Sequence, residues 1–405
     1  MSSPSPVIVV VGGGILGLAS ARALAQRVTG ARVLVLEKEN RIGVHQTGRA
    51  SGVVHSGVYY TPGSLKARLC TQGARELIEF CERRGIPFQR CGKVIVATGD
   101  DEIPRLEELH RRAAANGVEG AELIGKERLA ELEPHAAGVR ALHVPTTGIV
   151  DFVRVAQAYA DDLRKAGGEV LLGHEVTAMA SRGSGVLVTT GVAEIEADHV
   201  VSCAGVYADR IARLSGGAVE PRIVPFRGDY YVLKPERREL VNGLVYPVPD
   251  PTFPFLGIHT TLRPDGDVWL GPNAVLAFAR DGYGRFRVRP RDLGETLATP
   301  GFRRLARRHW RTGTAELVRD YSRRLFVASA RKLIPELRPG DVLPGPAGIR
   351  AQAIASDGTL LDDFAFETSG RVLHVRNAPS PGATSSLVIG RTIADMAVET
   401  FALGA

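Results

Sequence analysis

Cysteine is scarce in this chain: four among 405 residues, at positions 70, 81, 91 and 203, with no CxxC pair. Disulfide scaffolds and structural zinc sites need paired or closely spaced thiols, so both are excluded and a reducing compartment is expected. The cysteine spacing is not that of metal ligands, and no metal is expected. Long apolar runs are also missing; none approaches the roughly 18 residues of a membrane-spanning helix. The opening MSSPSPVIVVV carries no basic leader and too short an apolar run for a signal peptide. A cytoplasmic protein is expected, with peripheral contact at the inner face of the membrane left open. Neither sign of charge dominates, with 51 Lys and Arg against 44 Asp and Glu, net +7. The excess is local: residues 302–332 hold ten basic residues against two acids, net +8, which leaves −1 for the remainder. Aromatic residues are few, at 6%, and those in the basic segment form no stacking motif, so no nucleic-acid partner is expected.

What is present is organised from the first strand onward. With 44% hydrophobic residues the chain can bury a large core, and its length favours two domains. VIVVVGGGILGLASARALA reads as a buried β-branched strand, then Gly12-x-Gly14-x-x-Gly17, then a helix with Leu18, Ala21, Leu24 and Ala25 on one face. ARVLVLEKE follows as a second strand ending at Glu37, twenty residues past Gly17. Gly12 permits the tight turn, Gly14 lets backbone N–H groups approach a pyrophosphate, and Gly17 lets helix and strand pack closely. The helix N-terminus, opening at Ile15 and Leu16, faces the negative charge. Glu37, with Lys38 beside it, can take both ribose hydroxyls of an adenosine and would repel a 2′-phosphate. NAD and FAD both fit this arrangement.

The continuation favours FAD. A nicotinamide enzyme would add further βα units, whereas here the chain enters HQTGRASGVVHSGVYYTPGSLKARL, residues 45–69. That stretch has neither helical nor strand periodicity and reads as a loop. Gln46, Thr47, Gly48, Ser51 and Gly52 supply small residues and polar donors suited to lie along an extended dinucleotide. Asp151 reads as the cap of a helix stopped by Gly167-Gly168, after which a strand brings Val176 toward the adenine. Another strand ends at Ala204-Gly205 and returns to the cofactor. Near the end, a Pro/Gly/Ser loop with Gly382, Ala383, Thr384 and Ser385 feeds a helix whose free N–H groups can hold the electron-rich edge of a flavin.

This order of motifs resembles the FAD-dependent D-amino-acid oxidase superfamily. Within it, QTGRASGVVHSGVYYTPGSLKARLC, VPFRGDYY, PFLGIHTT, LGPNAVLAFARDGY, RHWRTG, GIRAQAI and NAPSPGATSSL resemble the family of L-2-hydroxyglutarate dehydrogenases and oxidases over nearly the whole chain. Ala50 departs from the Asn-Ser-Gly expected there. The resemblance implies an α/β fold, α+β overall. A Rossmann-like FAD domain (1–85, 151–220 and 346–405) would be interleaved with an antiparallel-sheet substrate domain (86–150 and 221–345). The implied reaction is oxidation of L-2-hydroxyglutarate to 2-oxoglutarate, with quinone or oxygen as the final acceptor.

Such a reaction needs a cation for the α-carboxylate, a base for the hydroxyl proton, and the Cα hydrogen facing the flavin. The resemblance points to Arg350 as the carboxylate clamp. His259 and His55 compete as base; a strand over the flavin face favours His259, and His55 would lie along the flavin edge. Tyr59, Tyr60, Lys66 and Arg227 are candidates for the second carboxylate of a C5 diacid. Two other activities stay open: oxidation of another small hydroxy or amino acid, and an FAD-containing RNA-modifying protein. A non-catalytic flavin scaffold is the third class. In residues 302–332, Gly313 is expected to divide two helices, with Thr312 or Thr314 capping the second. Phe302, Leu305, Ala306 and His309 would form one apolar face, and Leu317, Val318, Tyr321 and Leu325 the other. This is the pattern of an interfacial helix pair serving a quinone-linked enzyme, or of helices packed on their own domain with solvated arginines.

Overall fold

Parallel strands are covered on both faces, so their sequences run as unbroken apolar stretches. Val7–Val11 and Arg32–Glu37 are such stretches, and they pair in parallel with Val9 opposite Leu34. Their side chains alternate between two cores. Ile8 and Val10 meet Leu18, Leu24, Tyr159 and Ile389 on one face; Val9 and Val11 meet Val176, Val188 and Ile211 on the other. Each such buried aliphatic side chain contributes about 1.5–3 kcal/mol, so removing either face would undo the sheet.

The computed structural model describes residues 5–250 and 256–404. It extends these two strands into a six-stranded sheet in the order Ala365–Ser369, Val372–Asn377, His199–Ser202, Val7–Val11, Arg32–Glu37, Glu169–Leu172. Only the Ala365–Ser369 edge is antiparallel. Helix Ile15–Arg27 connects Val7–Val11 to Arg32–Glu37 and packs against Phe152–Lys165 and Ser386–Phe401. Gly390 permits that last contact, since a Cβ there would lie 2.7 Å from the Ala19 backbone. The Asp151 carboxylate caps Phe152–Lys165 by accepting from the Val153 and Arg154 amides.

A second, mainly antiparallel sheet stands over the C-terminal ends of these strands. Its spine is the pair Arg222–Leu233 and Val342–Ile354, matched from Arg222 opposite Ile354 to Leu233 opposite Val342. Val275–Leu276, Val268–Gly271 and His259–Leu262 extend it. A four-stranded sheet contains Leu244–Pro247, Lys93–Ala97, Arg140–Val144 and Glu122–Gly125, with the charged helix Ile103–Ala115 packed against it. Short strands Val53–Val54, Gly148–Val150 and Phe88–Gln89 form a seam between the two halves.

Three expectations need correction. Residues 45–69 are not all loop: Val53–Val54 is a strand, and a helix begins at Leu65 because the Ser64 hydroxyl accepts the Ala67 amide. The boundary at 346 falls inside the single strand Val342–Ile354, whose ladder to Arg222–Leu233 continues past it. Gly313 divides nothing. Helix Pro300–Tyr321 runs through it, kinks at His309, and stops before Ser322, whose hydroxyl caps Arg323–Ala330. Thr314 does not cap; its hydroxyl donates back to the Trp310 and Arg311 carbonyls. Of PFLGIHTT, Pro254 and Phe255 lie outside the described residues, as do residues 1–4.

Candidate active site

The glycine turn builds one end of a long cleft. Gly12 has φ +112°, and a Cβ there would sit 2.5 Å from the Cys203 carbonyl oxygen. At Gly17 a Cβ would approach the Gly12 carbonyl oxygen to 1.9 Å, so this helix–turn contact exists only with glycine. Helix Ile15–Arg27 opens at Gly14 without a side-chain cap, although the Ile15 amide donates to Thr47 Oγ1 at 3.0 Å. The buried Glu37 carboxylate accepts from the Gly13 amide at 2.7 Å and the Glu39 amide at 2.9 Å. Each of its oxygens keeps a second lone pair for a ribose hydroxyl. Lys38 turns its charge to Glu39 at 2.7 Å and lies over the Tyr207 ring, leaving the Glu37 carboxylate unopposed by it.

From there a single cavity of about 1090 Å³ runs to the second sheet. That exceeds the roughly 300–1,000 Å³ typical of small-molecule sites and leaves room for a dinucleotide beside a substrate. Gly12, Gly14, Ile15, Leu16, Glu37, Lys38, Gln46, Thr47, Ser51, Val176, Ala204, Gly205, Gly382, Ala383 and Thr384 all line it. So do His55, Tyr59, Tyr60, Lys66, Arg227, His259 and Arg350. Four expected cofactor residues do not line it. Gly17 packs on Gly12; Gly48 closes a turn by donating to the Gly43 carbonyl; Gly52, at φ +85°, lies against Arg263; and Ser385 abuts Gly73. They shape the wall from behind. The terminal loop is tied to the middle of the cleft, because the His55 amide donates to Thr384 Oγ1 at 3.1 Å.

The two histidines differ in how they are held. His259 Nδ1 lies 2.9 Å from the Gly257 carbonyl oxygen, which can only accept. Nδ1 therefore carries the proton and Nε2 bears the free lone pair. Tyr246 stacks on this imidazole with centroids 3.9 Å apart. His55 Nδ1 is buried with no hydrogen-bond partner among the described residues. Burial pushes both imidazoles down to about 3, helped by Lys93 and Arg350 beside His259 and by Lys93 and His259 beside His55. Both are neutral at physiological pH, and only His259 has its tautomer fixed as a base.

Arg350 exposes side-chain surface, but that surface is cavity wall; the enclosing protein lowers the guanidinium through burial. Its strand position, opposite Phe226, holds it near His259 and Tyr230. Two further expected cations are held by protein carboxylates. Arg227 is clamped between Asp229, at 2.9 Å, and Asp320, at 2.5 Å, while Lys66 pairs with Asp362 at 2.6 Å. The reading from sequence missed Lys93, a buried lysine heading the apolar run KVIVA, and Tyr246, the ring between Lys93 and His259. A lysine embedded in a strand that is otherwise fully apolar was the available signal.

A Rossmann-type nucleotide end opening onto a chamber with an arginine and a neutral, oriented histidine defines a dinucleotide-dependent oxidoreductase. The chain belongs to the FAD dependent oxidoreductase family, whose DAO model matches residues 8–396. It is 49% identical to the mitochondrial L-2-hydroxyglutarate dehydrogenase of Nematostella vectensis, over 98% of this chain and 91% of that one. Identity to the L-2-hydroxyglutarate dehydrogenase of Indibacter alkaliphilus is 45%, covering 97% and 99%, and to the human mitochondrial enzyme 48%, covering 99% and 90%. Among solved structures it resembles the FAD-bound L-alpha-glycerophosphate oxidase of Mycoplasma pneumoniae, with TM-score 0.79, 22% identity, and 98% and 95% coverage. Glycine oxidase from Geobacillus kaustophilus gives TM-score 0.71 at 20% identity, with 99% coverage of both chains.

The residues present fit FAD. Glu37 suits the adenosine ribose, the uncapped helix at Gly14 the pyrophosphate, and the Gly382–Thr384 wall, leading into the uncapped helix Ser386–Phe401, a flavin edge. Bound FAD supplies the hydride acceptor.

Proposed function

We propose that this protein oxidises L-2-hydroxyglutarate to 2-oxoglutarate. The observation that carries the reading is the His259 tautomer: Nδ1–H is fixed by the Gly257 carbonyl, so Nε2 is bare in the chamber that Arg350 enters. Arg350 holds the α-carboxylate and His259 Nε2 takes the hydroxyl proton. The Cα hydrogen leaves with its electron pair as a hydride, and the carbon is left as a ketone. The two histidines are neutral before substrate arrives, and two negative carboxylates beside Arg350 and Lys93 cancel the fields that weaken His259 as a base. The similarity to L-2-hydroxyglutarate dehydrogenases supports the substrate. Anaerobic titration of the yellow protein with each 2-hydroxyglutarate enantiomer tests it. The L form bleaches the flavin and the D form does not; equal bleaching by both, or by neither, refutes it.

The proposal extends to a reversible contact with an anionic bilayer, from which electrons reach quinone. Phe286, 84% exposed, packs its ring 5.7 Å from that of Tyr321, and Val318 and Leu325 are exposed nearby in sequence among the arginines of Pro300–Tyr321 and Arg323–Ala330. Among the described residues no helix is long and apolar enough to cross a membrane. Each cation near an anionic surface adds about 1 kcal/mol, enough for salt-sensitive binding at the inner face of a cytoplasmic membrane. Flotation with anionic liposomes at low salt, lost at high salt, is the expected result; no flotation at low salt overturns the bilayer contact, makes these helices structural and favours oxygen as the acceptor.

A further inference from the structure

Two cations expected to meet the far end of a diacid are neutralised by protein carboxylates: Arg227 by Asp229 and Asp320, Lys66 by Asp362. Lys93 is different. It is 2% exposed, and its Nζ lies 4.4 Å from the Tyr246 ring centroid and 5.2 Å from that of Tyr59. Among the described residues no carboxylate forms an ion pair with it. Aromatic faces attract an ammonium but leave its charge uncompensated and its three donors poorly used. The same part of the chamber holds two further groups, the Tyr59 hydroxyl and His55 Nδ1, both buried and without a hydrogen-bond partner among the described residues. Tyr59, His55 and Tyr246 all line the cavity, and Lys93 stands behind their rings. A buried positive charge beside idle donors is the counterpart of an anion that comes and goes. Arg350 already serves one carboxylate, and His259 lies within the field of both cations.

We propose that Lys93, the Tyr59 hydroxyl and the His55 Nδ1–H form the subsite for the substrate's second carboxylate, and thereby set the preference for a dicarboxylate over a monocarboxylate. This rests on the reading of the substrate as a diacid and replaces Lys66 and Arg227 in that role. In the tautomer required, His55 donates from Nδ1 and the tyrosine donates its O–H, while Lys93, behind the rings of Tyr59 and Tyr246, supplies the positive charge.

The test uses the FAD-loaded protein and two non-oxidisable five-carbon probes, glutarate and pentanoate, with binding read as a perturbation of the flavin spectrum. Lys93→Met keeps the length and removes the charge. Removing one partner of a desolvated charge pair weakens glutarate binding by about 30-fold or more, while pentanoate affinity stays within about threefold. Tyr59→Phe removes one hydroxyl and lowers glutarate affinity by about tenfold, in line with a hydrogen bond to a charged acceptor. Lys93→Arg restores part of the glutarate preference. Equal losses for both probes in Lys93→Met, or unchanged glutarate affinity in a variant with a normal flavin spectrum, overturn the proposal. If Lys93→Met fails to fold, Tyr59→Phe decides, and unchanged glutarate affinity there overturns it. A wild-type protein that binds glutarate over pentanoate but is bleached by neither 2-hydroxyglutarate enantiomer refutes the reaction and leaves the subsite standing.

Discussion

Exchange of His259 for asparagine keeps an amide that can donate to the Gly257 carbonyl, as Nδ1–H does, and deletes the lone pair at Nε2. The stacking surface under Tyr246 shrinks, but the strand His259–Leu262 keeps its ladder to Val268–Gly271. A positioned general base contributes about 10²–10⁴ in rate, which is about 2.7–5.4 kcal/mol at about 1.36 kcal/mol per decade. The upper part of that range requires that substrate binding raise the imidazole from about 3, the value set by burial with Lys93 and Arg350 nearby. Both cations face a carboxylate in the complex, so the two charges that depress the base are balanced when it is needed. Rapid mixing with L-2-hydroxyglutarate under anaerobic conditions, following flavin bleaching, measures the chemical step without the electron acceptor. The His259→Asn protein should bind glutarate nearly as well as the wild type and bleach about 10²–10⁴-fold more slowly, with partial recovery at high pH as the hydroxyl loses its proton unaided. His55→Asn should instead weaken substrate binding more than the bleaching rate. Bleaching of His259→Asn within threefold of wild type, with the large loss found in His55→Asn, would refute the assignment and make His55 the base.

Other outcomes follow from the same groups. Burial lowers Lys93 to about 8, so kcat/KM for the diacid, which reports the free enzyme, should fall as pH rises through about 8; a flat profile to pH 10 removes Lys93 from substrate binding. Gly17→Ala places a Cβ 1.9 Å from a backbone oxygen that cannot rotate away, and overpacking of this kind costs about 1–3 kcal/mol. The purified variant should be pale, with FAD loss measured by absorbance; full FAD content would show that the turn relaxes. In acid, His55 and His259, held at about 3, and His374, held at about 4 by burial, take up protons more readily in the unfolded chain, whose histidines titrate near 6.5. Stability should therefore fall as pH drops from about 6.5 toward 3. Asp229, raised to about 7 by burial and by Asp320, works the other way between about 4 and 7, one group against three. Melting temperature against pH checks the sign, and a rise on acidification would contradict it.

The nucleotide half was legible because its determinants are local. Val7–Val11 and Arg32–Glu37 announce buried parallel strands by composition, Asp151 and Gly167 bracket a helix by capping chemistry, and the glycine spacing fixes the turn between strand and helix. The basic segment misled for a related reason. Gly313 looks like a break, but glycine in an exposed helix costs only about 1 kcal/mol, and Glu316 and Asp320 anchor the second half of Pro300–Tyr321 by turning inward. Ser322, with its free hydroxyl at the right offset, ends the helix instead. The seam of short strands at Val53–Val54 was illegible because its partners, residues 148–150, are almost a hundred positions away.

Charge made the substrate end the hardest part to read. Lys66 and Arg227 sit in sequence among tyrosines and glycines and look available, yet folding brings Asp362 to one and Asp229 with Asp320 to the other. Lys93 sits in an apolar strand and looks structural, yet folding sets it against the rings of Tyr59 and Tyr246 and, among the described residues, pairs no acid with it. The availability of a cation depends on the carboxylates packed around it, and that is set by pairings between distant segments. Asp320 belongs to helix Pro300–Tyr321, so the arginine lining the chamber is held by the same helix that carries the exposed apolar surface. Asn273 completes the tie by donating to Asp320 and accepting the Asp229 amide. Arg227 is thus better understood as the rivet between that helix and the chamber wall. Its replacement by methionine should loosen both, because it leaves the buried Asp320 without its cation and Asp229 with only Arg285, at 3.7 Å, a loss of about 3–5 kcal/mol. Thermal unfolding of Arg227→Met measures that loss. A melting temperature unchanged from wild type, with weaker glutarate binding alone, would return Arg227 to the substrate.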